Sequence, residues 1–352
     1  MSKMGKTGNR VIIGLVFLLI LASVASLSIG AIQIPAKNLG SMFLHKMGLA
    51  GDTGFSAQQE AVLFGLRMPR LLLGMMIGAT LSVCGTAIQG LFRNPLAEPG
   101  LIGISAGATL FAVLVIVLET RYLQFLTALF GYYSLGIAAF FGATLTTFLV
   151  YRFSVQNGKT NVTTLLLIGI AINALVGAIT GLLTYIASDE QLRSITFWSL
   201  GSLGGATWKA VFSVLPFAMV TLIGLHFFRK PLNAMALGES QAEHLGIPLQ
   251  HIKKYIIVLS AIGVGACVAA AGMIGFIALV VPHILRISVS SNHYFVLPAS
   301  ALLGASVLVV SDLLARTIAA PSELPIGILT AILGVPVFIY IIIKSNRTHT
   351  SI

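Results

Sequence analysis

Arg67-Met-Pro-Arg70 places two guanidinium groups three residues apart, on one face of a helix, just ahead of a long apolar run. Pro69 is tolerated in a first helical turn. Arginines so placed either snorkel to a membrane interface or dock an acidic soluble partner. Asp312 and Arg316 form an i,i+4 pair, and Glu323-Leu-Pro-Ile-Gly327 reads as a helix start just outside a membrane. Gln89 and Arg93-Asn94-Pro95-Leu96 mark a helix that ends in a rigid turn. That turn is either a plain connection or an inner gate with Leu96 across a pathway. Gly238-Glu-Ser-Gln-Ala-Glu-His-Leu-Gly246 is a polar stretch, either a solvated helix or a helix that seats in a cytoplasmic motor.

Bond-making chemistry finds less support. Gly103-Ile-Ser105-Ala-Gly107 matches the G-x-S-x-G esterase pattern, but it sits in an apolar helical run rather than at a strand-to-helix elbow. Small residues packing two helices account for it. His283 and Arg286 fall near the inner end of an apolar segment, where ionisable residues are functional candidates. No G-x-x-x-x-G-K-[ST] occurs, so any ATP drive comes from another subunit. Cys84 and Cys267 lie in apolar runs and read as packing residues, with no metal site or disulfide framework.

The elements that position these residues follow from composition. Of 352 residues, 57% are hydrophobic and 9% charged, against about 25% charged in an ordinary soluble domain. Mean hydropathy is +0.98. So few charges cannot cover a soluble surface, which excludes a soluble enzyme, a nucleic-acid binder and a disordered scaffold. The chain is expected to be an all-α polytopic membrane protein, one domain over 1–352. The expected spans are 11–30, 62–90, 100–118, 134–153, 162–186, 208–228, 254–270, 273–290, 296–318 and 326–343. Within 254–290 only Gly272 and Gly275 suggest a break. Lys3, Lys6 and Arg10 precede a first apolar run too long for a signal peptide, so it reads as a retained helix with a cytoplasmic N-terminus. Ten spans then put both termini inside, and the Lys/Arg bias agrees. The net charge of +11 fits cytoplasmic loops, anionic lipid and an acidic partner. Residues 31–61 form an external segment. Residues 229–253 form the longest internal loop, a short surface helix with Glu239 and Glu243 exposed.

Taken together these motifs resemble the iron-chelate and cobalamin permease family, the FecCD-type transmembrane subunits of type II ABC importers. The residues that carry the resemblance are Arg67-x-Pro-Arg70, Gln89, Arg93-Asn-Pro-Leu-Ala97, Gly238–Gly246, Gly275-Phe-Ile through Pro282-His283-Ile-x-Arg286, Asp312-x-x-x-Arg316 and Glu323-Leu-Pro-x-Gly327. They run in order along nearly the whole chain. The resemblance implies ten transmembrane helices per subunit, a permease dimer with the pathway at its interface, and a bacterial cytoplasmic (inner) membrane location. It implies two cytoplasmic ATPase subunits docked on 229–253, with Gly238, Glu239, Ala242, Glu243, Leu245 and Gly246 as the coupling residues. It implies a periplasmic or lipid-anchored binding protein whose glutamates pair with Arg67, Arg70 and Arg316. Asn94 and Leu96 match the family's inner gate, and Thr163 and Thr164, at the start of helix five, are further gate candidates. No cofactor is bound permanently, ATP being used by the partner subunit.

The segment Gln191–Trp208 looks most like that of haem permeases, though siderophore members have similar Phe-Trp-x-x-Gly-Ser runs. Arg193 could attract haem propionates or an anionic siderophore, or simply anchor at the interface with the tryptophans. Haem is the first expectation, ferric siderophore the second and cobalamin the third. Two other classes make different predictions. An intramembrane serine hydrolase built on Ser105 and His283 would need no ATPase, and a passive channel would transport without ATP.

Overall fold

A computed structural model describes residues 5–49, 51, 54–119, 122–156 and 158–349. Lys3 lies outside them. The first half holds α1 (Lys6–Ser28), α2 (Ala36–Lys46), α3 (Ala57–Val62), α4 (Met68–Phe92), α5 (Ile104–Leu118), α6 (Gln124–Phe130), α7 (Ser134–Ser154) and α8 (Val162–Tyr185). The second holds α9 (Asp189–Leu200), α10 (Trp208–Phe227), α11 (Arg229–Met235), α12 (Glu239–His244), α13 (Leu249–Ala271), α14 (Ile277–Ser288), α15 (His293–Ile318) and α16 (Ile326–His349). Among the described residues, seven helices are long and apolar enough to cross a membrane, and α5, α14 and the Ile326–Ile339 part of α16 are shorter apolar helices. These ten fall on the ten expected spans.

α4 is the axis of the fold. From Leu71 to Leu91 nearly every side chain is buried, as expected of a helix apolar all round. It packs on α10, α13, α14 and α15. It approaches α15 closely at two glycines. A Cβ on Gly78 would lie 2.3 Å from the Gly304 carbonyl oxygen, and one on Gly304 would lie 1.9 Å from Ser82 Oγ. Here glycine on both helices lets the backbones meet. Gly107, the last residue of the G-x-S-x-G match, does the same between α5 and α7, where a Cβ would meet the Gly142 carbonyl oxygen at 2.3 Å.

Three features differ from the expectation. The second span begins at residue 57, not 62, because Ser56 and Gln59 form a reciprocal capping box, with Gln59 N–H donating to Ser56 Oγ (3.2 Å) and Ser56 N–H to Gln59 Oε1 (3.0 Å). Arg67 and Arg70 therefore lie several turns inside a continuous 57–92 helix rather than at its start. A π-helical turn at Leu63–Arg67 offsets one arginine from the other. The eighth span is short, only 277–288, because the chain unwinds from Gly272 to Phe276. Gly272 has φ +70, and a Cβ there would be 2.2 Å from the Trp198 carbonyl oxygen. A side chain at 272 is excluded by both the dihedral and the space.

α7 and α8 are joined by an antiparallel hairpin, Val155–Gln156 with Lys159–Thr160. α8 is the least enclosed of the later spans, with Leu167, Ile170, Leu175 and Leu182 more than half exposed.

Candidate functional site

The candidate residues gather at the two ends of α4, whose 25 residues rise roughly 37 Å.

At its start all three candidate arginines converge. Arg70 Nη2 lies 2.8 Å from Asp312 Oδ1, Arg70 Nε donates to the same oxygen at 2.9 Å, and Arg70 Nη1 lies 2.7 Å from Glu323 Oε1. Arg316 reaches Asp312 Oδ2 at 3.8 Å and donates to the Ser26 carbonyl oxygen. The i,i+4 pair foreseen between Asp312 and Arg316 is thus the weaker of Asp312's two ion pairs. Arg67 is buried and donates to the carbonyl oxygens of Leu27 and Ile32, so it holds the end of α1. Gly30 sits between Arg67 and Arg316, where a Cβ would be 2.6 Å from Arg67 Nη2 and 3.2 Å from Arg316 Nη1. Two guanidinium groups, those of Arg70 and Arg316, share the two carboxylates, and Arg67 stands behind them on backbone carbonyls. Arg70 and Arg316 border the surface, with side chains 14% and 11% exposed.

At the other end α4 stops at Phe92 with Arg93 in the left-handed region (φ 49). Asn94 Oδ1 accepts from the Leu96 N–H at 2.9 Å, the side-chain turn that an Asn-Pro sequence favours. Asn94 and Leu96 are exposed, while Ala97 is buried. Gln89, one turn earlier, is buried and donates to the Leu279 carbonyl oxygen at 3.1 Å. Glu98 follows the turn, and burial pushes its carboxyl above the usual range. Thr163 and Thr164 open α8, their N–H groups capped by Asn161 Oδ1 at 2.9 and 3.1 Å. The turn reaches α8 through Gly100, whose carbonyl oxygen accepts from Asn173 Nδ2 at 3.0 Å.

The 229–253 loop lies at this same end and forms α11 and α12. α12 is bounded by Gly238 (φ +123) and Gly246 (φ +74), which accounts for the two glycines of the motif. Ala242 is buried against the body, and Glu243 and Leu245 are exposed. Glu239 is a correction. It is half-buried rather than exposed, because its carboxylate pairs with Lys253 at 2.7 Å. α11 is tied down as well. Asn233 Oδ1 accepts from the His293 N–H at 2.8 Å and lies 2.9 Å from His293 Nδ1, while Asn233 Nδ2 donates to Asn292 Oδ1 at 2.8 Å. Arg286 reaches from α14 to the Thr86 carbonyl oxygen at 3.1 Å, within 3.4 Å of His293 Nε2. Sequence reasoning missed Lys253, Asn233 and His293.

Gln191–Trp208 forms α9 and the turn after it. This turn is threaded between the unwound segment and the start of α16. Ser202 N–H donates to the Ala271 carbonyl oxygen (2.8 Å) and Ile326 N–H to that of Gly201 (3.0 Å). One face of α9, with Glu190, Gln191, Ser194 and Trp198, lines a cavity of about 1110 Å³. Arg193 is exposed and lies off that face. Ser105 and His283 do not meet as a nucleophile and base would. Ser105 is on α5, packed on α7 and α8, and His283 is on α14, packed on α4, α15 and α16.

Comparison with known proteins places this fold in a family. The FecCD transport family profile matches residues 18–344. The chain is 40% identical over 347 residues to the hemin transport system permease protein HmuU of Yersinia pestis, covering 98% of this chain and 99% of that one. It is 36% identical over 341 residues to the vitamin B12 import system permease protein BtuC of Klebsiella pneumoniae, covering 97% and 96%. A solved structure described as an inward-facing, metal-chelate type ABC transporter superposes with a TM-score of 0.82 at 30% identity, covering 96% of this chain and 99% of that one. The fold is that of a polytopic ABC-transporter permease. The chain belongs to the FecCD transport family.

Proposed function

We propose that this chain is the transmembrane subunit of an ATP-driven importer that takes an iron chelate, haem foremost, from a soluble binding protein and passes it across the cytoplasmic membrane. The observation that carries this reading is the division of labour along α4. Arg70 and Arg316 border the surface at one end, and the Leu96 turn, Thr163–Thr164 and α12 share the other. The arginine end is the binding-protein side, with Arg67 behind the other two as their support. Asn94, Leu96, Thr163 and Thr164 form the gate. α12 seats in the ATPase through Glu243 and Leu245, with Ala242 packed inward.

Arg93, Arg152, Lys159, Arg229, Lys230 and Lys254 all fall at the α12 end, which supports reading that end as the cytoplasmic one. The uncovered apolar face of α8 suits a second copy of the permease. The chain forms no covalent bond with its cargo, and no cofactor stays bound. ATP binding and hydrolysis in two partner subunits bias two conformations through α12. Haem is favoured by the 40% identity to a hemin permease, and 36% identity to a B12 permease keeps cobalamin as a second reading beside ferric siderophores.

The test is ATP-dependent uptake into proteoliposomes carrying the permease, its ATPase and its binding protein. Haem, a panel of ferric siderophores and cobalamin are offered in turn. Haem uptake without the others supports the assignment, and its loss in Arg193→Ala would place that residue on the path. Siderophore or cobalamin uptake sinks the haem assignment and leaves the importer. Uptake that needs no ATP sinks both.

A further inference from the structure

Lys253 is the most deeply buried cation of the described residues, 1% exposed and among the largest fully buried side chains. An ammonium group out of water is costly unless it is paired and hydrogen-bonded. Here two acceptors compensate it. Nζ lies 2.7 Å from Glu239 Oε2 and donates to the Thr160 carbonyl oxygen at 3.0 Å. The two acceptors belong to separate elements. Glu239 is the first residue of α12, and Thr160 is the last residue of the α7–α8 hairpin. Gln250, one turn earlier on α13, accepts from the Thr160 N–H at 2.7 Å through Oε1. Both backbone groups of Thr160 are therefore fixed by the first five residues of α13. The next residue, Asn161, caps α8 at Thr163 and Thr164.

We propose that Lys253 is a positioning residue that links α12 to the first turn of α8, so that movement of the ATPase-facing helix is passed to Thr163 and Thr164. This rests on the assignment of α12 to the ATPase and of the α8 start to the gate. The link is short. One nitrogen is bonded to both elements, so a shift of α12 along α13 must break the Glu239 ion pair, release the Thr160 hydrogen bond or draw Thr160 with it. Either break leaves the buried ammonium short of an acceptor, which favours joint movement. The side chain supplies what coupling requires, a contact that differs in free energy between two arrangements of the same elements.

The test uses the assembled complex of permease, ATPase and binding protein in proteoliposomes. Two quantities are read in wild type, Lys253→Met, Lys253→Arg and Glu239→Gln. One is haem taken up per ATP hydrolysed. The other is the ATP-dependent change in thiol labelling of a cysteine placed at 163. Lys253→Met is expected to lower uptake per ATP roughly tenfold, inside the usual 5–150-fold range of coupling, and to flatten the labelling change. Lys253→Arg, which keeps the charge and the reach, should restore most of both, which a purely structural role would not require. Glu239→Gln keeps the Thr160 bond and weakens only the α12 arm, so an intermediate loss of several-fold is expected. If Lys253→Met does not assemble, Glu239→Gln decides with the same two readings. Wild-type coupling and wild-type labelling in the neutral variants would overturn the link while leaving the gate and ATPase assignments standing. If labelling at 163 is insensitive to ATP in the wild type, the gate assignment fails first and takes the link with it. Should labelling respond but haem not be taken up, the labelling alone judges the link and only the cargo assignment falls.

Discussion

The two ends of α4 both hold buried charge, but they hold it differently. At the arginine end Arg70, Asp312 and Arg316 sit on α4 and α15, two long helices locked together at Gly78 and Gly304. Arg67 and Arg316 extend that network to carbonyl oxygens near the end of α1. At the α12 end the polar contacts of α11, α12 and the hairpin join a short element to a long one: α12 to α13 through Glu239 and Lys253, the hairpin to α13 through Thr160, α11 to the start of α15 through Asn233 and His293. The first pattern makes a rigid plate that presents charge. The second makes a set of jointed parts that can shift relative to one another while their contacts persist. The exposed groups differ too. The arginine end offers guanidinium edges, whereas α12 is flanked by the exposed leucines Leu237 and Leu245. Binding at the first end should weaken steeply with salt, since exposed charges are screened over about 10 Å at 0.1 M, and binding at the second should not. Equal salt slopes for binding protein and ATPase would erase the distinction.

The largest effect should come from Arg70→Met. It removes both of Arg70's ion pairs and leaves Asp312, with a side chain 4% exposed, facing only the 3.8 Å contact to Arg316. Breaking one side of a buried pair costs about 3–5 kcal/mol, so a sharp loss of folded protein in detergent is expected. Adding Asp312→Asn should recover most of that stability without recovering binding-protein affinity. If the double variant regains affinity as well, Arg70 serves the fold and not the docking.

At the opposite end Leu245→Asp should leave the fold intact, because Leu245 is 63% exposed. It places a charge on the surface proposed to seat in the ATPase. A loss of about 2 kcal/mol, near thirtyfold in affinity, is expected of a contact at the centre of an interface. Wild-type co-purification of the ATPase would move the docking surface away from α12.

Glu323→Gln returns to the plate with a smaller effect. The Glu323 side chain is 41% exposed, so its pair with Arg70 contributes no more than about 1 kcal/mol to stability. Its neutralisation frees one face of Arg70 and shifts the cluster from three cations against two anions to three against one. Binding-protein affinity should rise several-fold at low salt and converge with wild type at high salt. A fall in affinity would mean that Glu323 orients Arg70 for its partner rather than competing with that partner.

Much of this was legible in the sequence, and what was not has identifiable causes. All ten apolar helices followed from run length, and Gly272 marked the break before α14. The arginines were found because two lie three residues apart beside a proline. The neutralisation of Arg70 by Asp312 and Glu323 was hidden, since those partners lie more than 240 positions away in sequence. The i,i+4 spacing of Asp312 and Arg316 pointed to the nearer and weaker partner. Arg67 turned inward because of a π-helical turn, which carries no composition signal. Lys253 did have a signal. It stands in register with the buried residues Leu249, Ile252, Ile256, Ile257 and Ser260 of α13, while its neighbour Lys254 stands off that stripe. Counting both lysines as loop charges concealed the difference. Leu96 and Asn94 were readable because Asn-Pro is a strong turn signal, whereas capping of α8 by Asn161 needed the position of the hairpin before it.

Glu98 gives the smallest effect and belongs to the jointed end. Burial holds its carboxyl above the ordinary range, so the native chain keeps a proton that the unfolded chain releases. Under linkage, stability then falls as pH rises from the ordinary glutamate value of about 4.3 through the raised native one, and levels off above it. Glu98→Gln removes the titration. Its thermal midpoint in detergent should match wild type at the acid limit and exceed it modestly at neutral pH, with the gap opening across that window. Parallel curves from pH 4 to 8 would mean that Glu98 is solvated in the native state. Because Glu98 follows Leu96 by two residues, the same substitution tests the proposed gate. If the turn moves outward into water during transport, ionised Glu98 favours the moved state, and Glu98→Gln should slow uptake at pH 8 more than at pH 5.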